Sequence, residues 1–157
     1  MASFLHIADE RNRNLIARNG LRAGRRGMFC VPVTRDHSLT HQWARELKRR
    51  GARTLVCVQL RVPDDERVSV GAYNGDRVAM TAAEAVATAA AHTGLTGLEV
   101  IFARAILPKE IARIYPAPRI VGWRYYPAAK GKKPFCHCRA CNRGEIRASR
   151  LIRDDDP

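Results

Sequence analysis

The chain has 157 residues, the length of one ordinary domain, and its 46% hydrophobic and 27% charged residues exclude wholesale disorder. Its 28 Lys and Arg stand against 15 Asp and Glu, a formal net charge of +13 at pH 7. That excess points to nucleic acid or a polyphosphate nucleotide as partner, through counterion release, with plain solvation of an Arg-rich surface as the alternative.

In chain order, Phe4-Leu5-His6-Ile7 reads as a short strand, and Asp9 caps a helix running through Arg18 that Gly20 stops in a left-handed conformation. Met28 to Val33 is a second apolar strand. Leu39, Trp43 and Leu47 recur at helical spacing before Gly51, with Arg45, Lys48, Arg49 and Arg50 on the other faces of an amphipathic helix. Thr54 to Val62 is Val- and Leu-rich, ends at Pro63-Asp64-Asp65, and reads as a central strand. Arg67 to Val70 and Arg77 to Met80 flank the turn signal Asn74-Gly75-Asp76 and suggest a hairpin. Thr81-Ala82-Ala83-Glu84 is a capping box opening an Ala-rich helix that stops near Gly94. Leu98 to Ala103 and Arg119 to Tyr125 read as further strands, with a helical turn at Pro108 to Ile111 between them. The order β-α-β-α-β-β-β-α-β-β predicts a mixed α+β domain rather than a doubly wound one. No apolar run approaches the roughly 20 residues of a membrane span, and the start lacks the pattern of a secretory signal, so the expectation is a cytoplasmic protein without a membrane partner.

The C-terminal part is where the charge collects. From Arg119 to Arg153 there are ten Lys or Arg residues and one acid, Glu145. Within that segment Cys136, Cys138 and Cys141 crowd together, which suits a Zn²⁺ ion better than a disulfide framework. A tetrahedral site needs a fourth ligand from elsewhere; Cys30, Cys57, His37 and His41 are available, with Cys30 preferred. Three reduced thiols without metal, or a reactive thiol activated by its basic neighbours, are the other readings. The division expected is a folded domain over 1–127 and a basic, Cys-rich segment over 128–157 packed on it as a zinc knuckle.

His6-Ile7-Ala8-Asp9-Glu10-Arg11-Asn12, followed by Ile16 and Gly20-Leu21, resembles the first motif of the DarT-type ADP-ribosyltransferases and, more distantly, of the RNA 2′-phosphotransferases. Gly97-Leu98-Glu99-Val100-Ile101-Phe102 and Ile106-Leu107-Pro108-Lys109-Glu110-Ile111 resemble the glutamate strand of that family and its continuation. The resemblance implies a split-sheet domain binding NAD, with His6 and Asn12 on the nicotinamide–ribose half, Glu99 as catalytic glutamate and Arg35 as pyrophosphate ligand. It also implies transfer of ADP-ribose to a nucleic-acid or nucleotide acceptor. The middle of the chain departs from the family, with Pro32-Val33-Thr34-Arg35 where the family has a Pro-Arg-Ser-Pro-like stretch, and the cysteine cluster has no counterpart in it. From the residues alone, an ionised Glu99 in an apolar strand must either face solvent or have partners. The rival function is a non-catalytic, zinc-containing nucleic-acid-binding module with Trp123, Tyr125 and Tyr126 as stacking surfaces, or a degenerate transferase.

Overall fold

The structure, a computed structural model of the chain, describes residues 1–33, 38–72, 75–91 and 97–117. Seven strands are present among them: β1 (Ala2–Asp9), β2 (Met28–Pro32), β3 (Leu55–Val62), β4 (Arg67–Ala72), β5 (Arg77–Thr81), β6 (Leu98–Phe102) and β7 (Ile111–Pro116). Three α-helices join them, α1 (Arg13–Asn19), α2 (Ser38–Arg49) and α3 (Ala82–Ala91), with 3₁₀ turns at Glu10–Asn12 and Pro108–Glu110. The strands form one antiparallel sheet in the order β5-β4-β6-β2-β1-β3-β7, so the fold is mixed α+β as the pattern predicts.

Local chemistry sets the boundaries. Asp9 accepts from the Arg11 N–H and caps the 3₁₀ turn, so the α-helix itself begins only at Arg13. Gly20 ends it at φ +77°, and a Cβ there would collide with the Ile106 carbonyl, so only glycine fits. Thr81 and Glu84 form the capping box reciprocally at the start of α3.

The core lies on the sheet face carrying Phe4, Val56, Val58, Leu60, Val100 and Phe102, where the Ala82, Ala85 and Ala89 stripe of α3 joins it. Small residues there let the helix approach the sheet closely. Residues of opposite parity point the other way, and on that second face α2 packs through Ala44, Trp43 and Leu47 onto Ile7 and Leu55.

Two expectations are revised. β3 is flanked on both sides but lies next to the edge strand rather than at the centre, which is held by β2. A strand that the pattern does not reveal, β7, forms that edge. The expected strand from Arg119 to Tyr125, the stop near Gly94, the boundary between 127 and 128 and the whole cysteine cluster lie outside the described residues. Among the described residues no helix is long and apolar enough to cross a membrane.

Candidate functional site

All five residues of β6 are buried, because the strand lies between β4 and β2. Glu99 is among them, 2% exposed, so a solvated strand face does not explain it. A carboxylate taken from water needs a compensating charge. Arg77 provides it: its Nη2 donates to Glu99 Oε2 at 3.0 Å. Arg77 lies two strands away, on β5, and the register Arg77↔Gly71↔Glu99 puts the three on one cross-strand row and therefore one face. Gly71 keeps the path open. A Cβ there would run into the Asp76 carbonyl and stand 3.0 Å from Arg77 Cγ, displacing the arm that reaches Glu99.

The sheet is nearly divided between β1 and β2. β1 shares eight residue pairs with β3 but only two with β2, Phe4↔Pro32 and Leu5↔Val31. Beyond Leu5 the strands part, and His6 bridges the gap with its side chain, Nδ1 standing 2.8 Å from the Phe29 carbonyl. A carbonyl only accepts, so Nδ1 carries the proton and donates, leaving Nε2 as an acceptor. Desolvation holds the imidazole pKa below its ordinary 6.5, with the Phe29 bond pulling weakly the other way, so the ring is neutral near pH 7.

At this parting, beneath α2, lies a cavity of about 220 Å³ lined by His6, Cys30, Trp43, Arg50, Arg77 and Glu99 among others. Trp43 Nε1 donates to the Leu98 carbonyl at 3.2 Å, which fixes the indole beside the start of β6. Arg26, with its guanidinium 5.9 Å from the Phe29 ring centre, reaches the same wall. The cavity thus joins an acceptor imidazole, a buried carboxylate and three guanidiniums, of which Arg77 is paired with Glu99 and Arg50 with Glu46, an arrangement suited to a polar, hydroxyl-bearing ligand.

His6 and Glu99 therefore line the same cavity, from strand positions of opposite parity. Asn12 is not with them: it sits exposed at the end of the first 3₁₀ turn and takes no part in the cavity lining. Arg35 lies outside the described residues, as do Cys136, Cys138 and Cys141. Cys30 is buried in β2 opposite Val100, and burial pushes its thiol far above the usual range. Among the described residues no three His, Cys, Asp or Glu are grouped to hold a metal ion.

Arg77, Gly71, Arg26 and Arg50 belong to the site without having been singled out by the sequence. Gly71, inside a strand pattern, is the one local signal that could have found it, since glycine there marks a bulge or a close approach. Comparison with protein-family models, curated protein sequences and solved structures finds no match to this chain.

Proposed function

We propose that the chain is an ADP-ribosyltransferase-like enzyme that takes NAD in the cavity between β1 and β2 and transfers ADP-ribose to a nucleic-acid or nucleotide acceptor. One observation carries the reading: His6 and Glu99, from opposite ends of the described chain and from separate motifs of the resemblance, line the same cavity. Its location, where β1 and β2 diverge, agrees with a ligand site in a split sheet.

The residues fit part of the ligand. A volume of about 220 Å³ falls below the roughly 300–1,000 Å³ of complete small-molecule sites, so the enclosed space suits the nicotinamide–ribose half. Arg26 and Arg77 in the lining offer planar cations for a pyrophosphate, a role the resemblance gives to Arg35, while Arg50 is paired with Glu46 at 3.0 Å. NAD supplies the ADP-ribosyl group, with nicotinamide as the leaving group. Glu99 stabilises positive charge developing at the ribose C1′ and accepts a proton from the incoming nucleophile. His6 Nε2 accepts from a ribose hydroxyl, and Trp43 and Leu47 keep water from that side of the cavity. The cysteine cluster adds a structural zinc site, with Cys136, Cys138 and Cys141 as ligands; Cys30, buried in β2 with its thiol held protonated, is a poor fourth ligand.

One feature favours a rival, the degenerate transferase: the Arg77–Glu99 pair is also what a purely structural buried ion pair looks like. Equilibrium NAD binding and nicotinamide release by the wild-type chain separate the two. Saturable binding with turnover is expected; binding without nicotinamide release identifies the degenerate form, and neither activity overturns the proposal.

A further inference from the structure

A second concave surface lies on the other side of the sheet junction. The outer strands β3 and β7, with the 3₁₀ turn Pro108–Glu110, enclose an open groove of about 840 Å³ whose walls carry Arg61, Arg104, Lys109 and Arg113. Glu110 is the single acid in that lining, and it is already bound to Arg104 at 2.7 Å. Asp64, close by, holds the Met1 ammonium at 2.6 Å. Arg61, Lys109 and Arg113 are exposed, and among the described residues none of the three has a carboxylate partner. Among those residues the groove therefore carries an excess of positive charge: Glu110 is taken up by Arg104 and also feels the Lys109 charge, and Arg61 and Arg113 form no ion pair.

Local structure explains how they come to face one way. The β3–β7 register slips between Gln59 and Leu60, a bulge that leaves Ala112 and Arg113 both exposed where alternation would bury one. Gln59 Oε1 accepts from Arg113 Nε at 2.6 Å and holds the guanidinium over the strand. The Tyr115 ring supports it from beneath, 4.7 Å away. Arg61 is the diagonal neighbour of Arg113, about 7–8 Å off at the backbone. Together with Lys109 they spread positive charge along an open groove rather than round one closed pocket, which suits an extended sugar–phosphate chain.

The groove is also in register with the cavity. Arg113↔Gln59 and Gln59↔Leu5 and Leu5↔Val31 form a continuous row from β7 to β2, and Val31 and Leu5 line the cavity. Glu99 stands one step along from the Cys30↔Val100 pair, next to Val31. From Arg113 to Glu99 is four strand spacings, on the order of 19 Å, along a single face of the sheet.

We infer that this groove is the seat of a nucleic-acid strand, held by Arg61, Lys109 and Arg113 through its phosphates and continuing over the protein surface in the direction of the cavity, since buried Leu5 and Val31 close the sheet face between the two. The inference rests on the proposed function for the meaning of that direction, but not for the binding itself. The charge pattern of the sequence puts a nucleic-acid footprint in the segment from Arg119 to Arg153; this surface is built from other residues.

The test is fluorescence anisotropy of a labelled single-stranded oligonucleotide against the full chain without NAD, across a series of salt concentrations. Arg61→Glu with Arg113→Glu should weaken binding at least tenfold at moderate salt and reduce the log–log salt slope by about 0.7 for each phosphate no longer neutralised. The charge-matched pair Arg22→Glu with Arg25→Glu, exposed before β2, should change affinity far less. The milder Arg61→Gln with Lys109→Gln covers the case in which charge reversal disturbs folding, and should still weaken binding. Equal weakening in groove and control variants, or none in either groove variant, would overturn the inference. Failure of NAD binding by the wild-type chain would instead remove the enzymatic reading and leave the groove standing.

Discussion

Burying Glu99 beneath an arginine that spans two strands commits both side chains to one geometry. Glu99→Gln keeps the volume and an oxygen for Arg77, while the freed guanidinium, about a third exposed, can hydrate. The fold should therefore survive at a cost of no more than about 2 kcal/mol. Nicotinamide release should fall by a factor on the order of hundreds if the carboxylate stabilises developing charge, with NAD affinity changed far less. Equal rates for wild type and variant at equal folded concentration would exclude Glu99 from the chemistry. His6 gives a pH dependence of definite sign. Its folded pKa is depressed, so the unfolded chain binds more protons below 6.5, and the stability from a neutral His6 is present above that pH and lost as pH falls through the folded pKa. Denaturation midpoints at about pH 7.5 and about pH 5.5 should differ by less in His6→Asn than in wild type. Both residues are legible as site candidates in the sequence. What is not legible is their support: Arg77 reaches Glu99 only because the β4–β5 hairpin, itself expected, pairs through Gly71 with the distant strand β6, and no local pattern encodes that second pairing.

At the scale of elements, a junction of charges ties the end of β6 to the turn before β7. Arg104 donates to Glu66 through Nε and Nη2 at 3.0 and 2.8 Å, and to Glu110 at 2.7 and 2.9 Å. Glu110 in turn accepts from the Leu107 N–H at 2.8 Å, so one carboxylate caps the turn and anchors the arginine. Arg104→Met should cost about 1–2 kcal/mol in chemical denaturation, less than a fully buried pair because the arginine is 38% exposed. The Arg104 bonds hold the Glu110 carboxyl below its ordinary 4.5, so its contribution is present above pH 4.5 and lost as pH falls through the folded value. Arg104→Met should flatten that acid limb, which a stability–pH profile would read directly. The helices and hairpin are legible because capping chemistry is local: Asp9, Gly20 and the Thr81–Glu84 box each act within four residues. β7 is hidden for the opposite reason. Its burial runs half-buried, exposed, exposed, half-buried, half-buried, exposed, and the bulge against Gln59 and Leu60 erases the two-residue alternation by which a strand is recognised.

For the molecule as a whole, the cysteine cluster yields the prediction that depends least on the cavity. Protein purified without added zinc should carry near-stoichiometric metal, and Cys138→Ser or chelation should lower the denaturation midpoint, since metal binding to Cys136, Cys138 and Cys141 would contribute folding free energy. Metal analysis showing no zinc would remove that site and leave the sheet-borne cavity untouched. The sheet itself has a softest link. Eight residue pairs bind β1 to β3 and five bind β4 to β5, but two bind β1 to β2, with the Val33–Ser3 backbone bond on one side and the His6–Phe29 bond on the other. Links in series share the same load, so deformation concentrates in the weakest, and slow breathing of this molecule should appear first as a scissoring of the β1-β3-β7 blade against the β2-β6-β4-β5 blade. A molecule lodged between His6 on one blade and Glu99 on the other would act as a rivet, and the amides along β1 and β2 would be the first to feel it tighten.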